Sequence, residues 1–335
     1  MKTRNEATDE STRPVETDHA DARRKSCGNW WPVVVSRLLA EHGHRCAGGP
    51  ASDGYVSEVL NDHLAVAVAI RCDDFRLELL HESDRAHFSM EDFLAIEIER
   101  MRERSLRPRW VGPGLAAIEC REASAWMLCP EKLAELAGTG NAPVVAVPFT
   151  DLALVAAERD AGALGQMADK LEKHANDDAE VVESLRLFRF DGSEWVAWLP
   201  AEKRLRRRFR DIAAADLKIQ ANRQSGLQQV YGSVIPASVH PATVKLVGTI
   251  KGDVSTLAVW PPEPVALPRV DAVAFPLPNG VVIAEWKEIQ SRFGSLLSPL
   301  GTHPQRFLTT GFPTARQIES LKGHVRSSSP PVNFG

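Results

Sequence analysis

Short apolar runs, arriving in pairs across turn-forming residues, constrain this chain more than any other feature. Leu64 to Ile70 and Phe75 to Leu80 flank Cys72, Asp73 and Asp74, a spacing that suits two strands and a short turn. Leu185 to Phe190 and Trp195 to Leu199 flank Asp191-Gly192, while Ala272 to Leu277 and Val281 to Trp286 flank Pro278-Asn279-Gly280. Asp-Gly and Asn-Gly accept the positive φ values of tight turns, so both segments predict β-hairpins. Gly114 to Cys120, Ser124 to Leu128, Val144 to Val147, Leu152 to Ala157, Val244 to Ile250 and Leu257 to Trp260 are further strand candidates.

Helices interrupt these runs singly. Val34, Val35, Leu38 and Leu39 follow i, i+3, i+4 spacing and predict an amphipathic helix over Trp30 to His42, with Pro32 near its start. Ser89 is an N-cap with the acidic Asp92 at N3, and Phe93, Leu94, Ile96, Ile98 and Met101 follow before Pro108. Pro130 suits the first position of a helix ending at Gly138, and Gly162 to His174 reads as another. Paired strands broken by single helices favour an α+β fold over a doubly wound parallel sheet.

The expected architecture is an α+β domain with a mixed or antiparallel sheet over residues 27–200. A charged connecting helix over 201–230 leads to a second, smaller β-rich α+β domain over 231–326. Residues 1–26 and 327–335 have too few large apolar groups to offset the entropy of ordering and are expected as disordered tails. Pro261, Pro262, Pro264 and Pro268 lack an N–H, which predicts an edge or a loop for that stretch.

Composition excludes several classes. With 44 acidic against 40 basic residues the formal charge is −4, so no bulk field draws the molecule onto nucleic acid or an anionic membrane. The longest apolar runs fall short of the roughly 20 residues that cross a bilayer, so membrane insertion is not expected. The N-terminal stretch lacks the apolar core of a secretory signal, and five cysteines without a Cys-x-x-Cys pair argue for reduced thiols; a cytoplasmic protein is the expectation.

The stretch from Pro143 through Val147, Pro148 and Asp151 to Ala156, followed by an acidic helix and the hairpin from Leu187 to Trp195, resembles the YtpQ-like bacterial family of unknown function. The resemblance covers roughly residues 50–200. It implies an α+β domain and cytoplasmic residence, and supplies no catalytic residues. Thr150 stands where the family pattern has an Arg-like residue before Asp151.

Chemical motifs are sparse. His42, His44 and Cys46 form the best metal-like cluster, but a tetrahedral site wants four ligands in paired spacings, and a polar helix end is the plainer reading. Cys129 precedes a helix whose positive end favours thiolate; Cys120 and Cys129 otherwise read as small buried residues. Asp151 follows a strand, where carboxylates serve as bases or ligands, with Glu119, Glu122 and Glu158 as company, but none has a diagnostic spacing and a turn-capping Asp is the plainer reading. The common nucleotide, hydrolase and zinc-protease signatures are absent, so neither a cofactor nor a metal is expected.

Lys203-Arg204-Leu205-Arg206-Arg207-Arg208-Phe209-Arg210 carries the densest charge in the chain. Leu205 and Phe209, four apart, would dock the helix and leave its arginines to solvent or to acidic neighbours. Trp195 and Trp198 fall on opposite faces of a strand, so at most one faces a core. Trp260, beside Pro261 and Pro262, joins Trp286 as a candidate exposed aromatic-proline surface, although core packing is the plainer reading. The sequence thus points to a non-catalytic interaction or accessory protein. Its binding candidates are Arg204, Arg206, Arg207, Arg208, Arg210 and Trp260, and its expected partner is an acidic protein or peptide. A nucleic-acid-associated regulator using the same arginines is the alternative, and an enzyme with an unrecognised site near Asp151 is a third reading.

Overall fold

The computed structural model describes residues 30–42, 55–71, 77–80, 89–138, 140–176, 182–226, 238–248 and 254–321. The expected tails, the turn at Cys72 to Asp74, and His44 and Cys46 lie outside these residues. The fold is α+β, with four sheets, antiparallel or mixed.

The chain opens with strand β1 (Trp30–Ser36) and only then turns into helix α1 (Arg37–His42). This corrects the helix expected over Trp30 to His42. Three consecutive valines, Val33 to Val35, are stiff at χ1 and suit a pleated strand. They alternate between two apolar layers: Val34 joins Leu64, Val66 and Val68 on one side, while Val33 and Val35 join Ala65, Ala67 and Ala69 on the other. A strand buried on both faces reads as an unbroken apolar run, which helical spacing matches equally well. Strand β3 (Leu64–Arg71) pairs antiparallel with β1 along one edge and with β2 (Ser57–Val59) and β4 (Leu77–Leu79) along the other.

Helix α2 (Met90–Glu103) begins where the sequence places it, with the Ser89 hydroxyl accepting the Asp92 N–H, a cap worth about 1 kcal/mol. Strands β5 (Arg109–Gly112) and β6 (Leu115–Glu119) follow. Ala123–Leu128 then forms a 3-10 helix, correcting the strand expected over Ser124 to Leu128. The Ser124 hydroxyl accepts the Val34 N–H at 2.9 Å, which ties this turn to β1. Helix α3 (Pro130–Ala137) carries its proline at N1 and ends at Gly138.

Strands β7 (Pro143–Phe149) and β8 (Leu152–Ala157), helix α4 (Ala161–Ala175), and the hairpin of β9 (Phe188–Phe190) and β10 (Trp195–Ala197) complete a six-stranded antiparallel sheet in the order β10-β9-β7-β8-β6-β5. Alternation along β7 sends Val145 and Val147 to the layer shared with β3 and α2, and Val144 and Ala146 to a layer under α4. Both faces of this sheet are therefore covered. That corrects the reading of the two tryptophans: Trp195 is buried in one layer and Trp198 packs half-buried against the other. At the hairpin, Gly192 takes φ 110° and Asp191 accepts the N–H groups of Ser193 and Glu194, so the loop is longer than a two-residue turn.

Helix α5 (Lys203–Gly226) leads into the last third of the chain. There β11 (His240–Pro241), β14 (Val265–Pro268), β17 (Leu297–Pro299) and β18 (Arg306–Thr309) form one sheet. The other contains β12 (Lys245–Gly248), β13 (Val254–Val259), β15 (Ala272–Leu277) and β16 (Gly280–Glu285). β15 and β16 meet across Pro278-Asn279 as expected, with Gly280 at φ 136°. Helices α6 (Trp286–Phe293) and α7 (Ala315–Glu319) pack Ile289, Phe293 and Ile318 into the common core.

Two expectations about this region are corrected. Trp260 is 0% exposed, its ring 5.5 Å from Phe275 and 6.4 Å from Phe293, so it is a core residue and leaves the contact surface. The proline-rich stretch is not wholly edge or loop either. β14 lies between β11 and β18, but β11 pairs only with Val265 and Ala266, so Pro268 stands where the strand has a neighbour on one side alone.

Candidate functional site

The sequence places its strongest candidate on α5, and the two halves of that helix present different chemistry. Glu202 opens it by accepting the N–H groups of Arg204 and Leu205, both at 2.9 Å, and these bonds, Leu205 first, hold its carboxyl below the usual range. Leu205, Phe209 and Ile212 then recur at i, i+4 and i+7 and are buried against α4 and the six-stranded sheet. Burying the two larger side chains contributes about 1.5–3 kcal/mol each.

At 100° per residue, Lys203, Arg207 and Arg210 fall on the opposite side, with Arg204 and Arg206 on the two flanks, and all five are exposed. Arg206 donates through Nε to the Pro200 carbonyl at 2.8 Å. Arg204, Arg206 and Arg210 form no ion pair among the described residues. Arg208 is different. It lies beside α4 and donates to Glu172 at 2.7 and 2.8 Å and to Asp169 at 2.7 Å, so its charge is consumed inside the fold. Of the expected binding residues, the structure gathers Arg204, Arg206, Arg207 and Arg210 on one surface and sets Arg208 and Trp260 apart.

The buried phase of α5 continues past Ile212 but turns polar, through Asp216, Gln220, Arg223 and Gln224. Asp216 accepts the Leu185 N–H at 2.8 Å and Arg186 Nε at 3.0 Å; burial pushes its carboxyl up, against the pull of Arg186. Gln220 donates to the carbonyls of Val182 and Glu183. Glu183, also buried, accepts the Ser36 N–H at 2.6 Å, and burial again raises its carboxyl. Gln224 accepts from Nε of Arg306 at 2.6 Å, and that arginine, 0% exposed, also donates to the carbonyls of Ala221, Ala242 and Ala266.

Next to this network lies His63, its ring 5.7 Å from that of His303 and 6.2 Å from Phe188. Its pKa is lowered to about 3, first by burial and then by Arg186, His303 and Arg37. These groups are absent from the sequence-based expectations. One signal was available: extending the Leu205, Phe209, Ile212 phase along the helix places Asp216, Gln220 and Arg223 on the buried face, which marks them as groups that must find internal partners.

The remaining candidates stay apart. Asp151 is exposed in the β7-β8 turn, its side chain capping nothing among the described residues, and the Glu119 carboxylate is bound by Arg109. Cys129 is fully buried and burial pushes its thiol up to about 11, while burial also raises Cys120; both shifts oppose a thiolate nucleophile. No group of three His, Cys, Asp or Glu among the described residues is placed to hold a metal ion, and no helix among them is long and apolar enough to cross a membrane. No protein-family model, curated protein or solved structure matches the chain, so no residue role is carried over from a relative.

Proposed function

We propose that this chain is a non-catalytic interaction protein that docks an acidic segment of a partner protein on the exposed basic face of α5. The observation that carries this reading is the exposed stripe of Lys203, Arg207 and Arg210 opposite the buried Leu205, Phe209 and Ile212, with Arg204 and Arg206 exposed on its flanks. The buried stripe fixes the helix rigidly, so the cations are presented along about 10 Å of axis, from Lys203 to Arg210, without further ordering of the backbone. Carboxylates spaced three and four apart on a partner helix match that repeat, and each Arg fork donates to a carboxylate bidentately.

Phosphates of a nucleic acid offer the competing charge. Phe209, the aromatic residue nearest the stripe in sequence, is buried, so α5 supplies no exposed ring for base stacking. The test is a fluorescence-anisotropy titration with a labelled oligoglutamate peptide, single-stranded RNA and duplex DNA at one fixed salt concentration. The expected result is saturable binding of the acidic peptide, weakened at least about tenfold in the Arg206→Glu, Arg207→Glu, Arg210→Glu variant. Tighter binding of either nucleic acid than of the peptide would replace this reading with the regulator. Equal peptide binding by both proteins would overturn it.

A further inference from the structure

Strand β5 ends the six-stranded sheet, paired with β6 on one side and with no strand on the other among the described residues. Its outer row of N–H and C=O groups is therefore open to pairing. In the middle of this edge stands Trp110, 55% exposed, more than any other large apolar side chain among the described residues. It lies opposite Ala116, on the face shared with β3 and α2, whereas Arg109, opposite Ala117, lies on the face under α4.

The two ends of this edge carry opposite charges with bonding capacity to spare. Before the strand, Arg107 is exposed and has no hydrogen bond or ion pair among the described residues. Pro108 after it favours extended backbone, so Arg107 shares the α4 side of the sheet with Arg109. Beyond the strand, the Asp160 carboxylate crowds Gly114, its Oδ2 only 2.1 Å from where a Cβ on that residue would stand. Oδ1 of Asp160 accepts the Ala163 N–H and caps α4, while Oδ2 accepts no hydrogen bond among the described residues. Arg159 beside it reaches to Glu158 at 3.7 Å and leaves Asp160 without a counter-charge.

We infer that β5 is a self-association edge, on which a second copy of this chain lays its own β5 antiparallel about a two-fold axis at Trp110. An axis perpendicular to the sheet keeps each face in register, so Trp110 meets Trp110 of the second copy and Arg109 meets its Val111. Arg107 then meets Pro113 of the second copy, next to Gly114 and Asp160. That charge pair forms twice, the two indole rings meet at the axis, and no like charges face each other. Moving the axis to Val111 would set each Trp110 against Gly112, where no side chain meets the ring. Pro108 and Pro113 lack an N–H and stop the ladder at either end of Arg109–Gly112. A longer strand from another protein gains nothing beyond them, whereas a copy of β5, bounded by the same prolines, loses nothing. The bulge between Trp110 and Gly112 also keeps the paired stretch short. A contact of this size gives a dissociation constant of about 10–100 μM.

Sedimentation equilibrium of the full chain from about 1 to about 300 μM tests the edge. The expected result is a reversible monomer–dimer equilibrium that stops at two copies, because a two-fold contact closes on itself. Trp110→Lys sets like charges on the axis and should weaken dimerisation at least about tenfold. Arg107→Gln and Asp160→Asn should each weaken it about threefold, and the double variant no further than either alone, since the two charges act as one pair. Asp160→Asn keeps the side-chain oxygen that caps α4. Arg107→Gln, with no partner to lose inside the fold, stands in if Trp110→Lys lowers the urea midpoint. A monomer throughout the range, growth beyond two copies, or a dimer equally strong in Trp110→Lys would overturn the inference. Losses that multiply in the double variant reject the contact between Arg107 and Asp160, and with it this register. The Arg206, Arg207, Arg210 reversal should leave the dimer intact, so the two proposals fail separately. Loss of the dimer in that variant would move the contact to α5 and sink the interface proposed here.

Discussion

The first and second halves of α5 carry polar groups on opposite sides of one helix, and they use them in opposite ways. In the first half the buried stripe is apolar and the charges face water, where ion pairs are worth little. In the second half the stripe facing inward is Asp216, Gln220 and Gln224, and each of these bonds to an element far away in the chain. The lesson is that charge density in the sequence and energetic weight in the fold are separate properties. The crowded arginines cost little to change, whereas a few isolated polar residues hold the segments together.

The sharpest break of this comparison is Arg306→Ala. It removes the donor to Gln224 Oε1 and one donor to each of the carbonyls of Ala221, Ala242 and Ala266, and buried acceptors left short of donors are costly. A loss of about 4 kcal/mol is expected by urea denaturation, with retention of near-native stability counting against the network. Asp216→Ala comes next. It leaves the Leu185 N–H unpaired, but the partly exposed Arg186 can hydrate, so about 2 kcal/mol is expected in the same measurement.

A pH series sharpens the comparison from another side. His63 has a folded pKa below its unfolded value, so the folded state binds fewer protons, and stability is present above the unfolded pKa of 6.5 and lost as pH falls toward about 3. Glu183, raised by burial, acts with the opposite sign, its contribution being lost as pH rises above its ordinary value of 4.5. His63→Gln is expected to flatten the acid limb of the stability curve below pH 6.5. An unchanged limb would show that the His63 pKa does not differ between the folded and unfolded states. The smallest effect belongs to Arg208→Ala, whose ion pairs to Asp169 and Glu172 lie near the surface. About 1 kcal/mol or less is expected, shrinking further in high salt.

What the sequence made legible follows this same division. Local chemistry announced local structure: Ser89 and Pro130 opened helices, and Asp191-Gly192 and Asn279-Gly280 turned hairpins, because cap and turn energetics act within a few residues. The β1 strand was misread because valines buried on both faces carry no period that separates strand from helix. Trp260 was misplaced because the prolines beside it were allowed to speak for a ring that points into the core. The candidate site divides likewise. The basic stripe was visible as a charge run, while the Glu183 bond to Ser36 spans 147 positions, and no local pattern announces a contact of that separation.

Arg306 sets a limit on how this molecule can be divided. Its guanidinium is cradled by atoms from α5 on one side and from the strands after it on the other. A fragment that starts beyond α5 inherits an ionised group with half of its cradle missing, and a fragment that ends at α5 inherits a glutamine amide and a carbonyl with nothing to receive. Modular excision at this point in the chain therefore yields two damaged pieces, and any expression strategy or gene fusion has to carry the helix and the closing strand together.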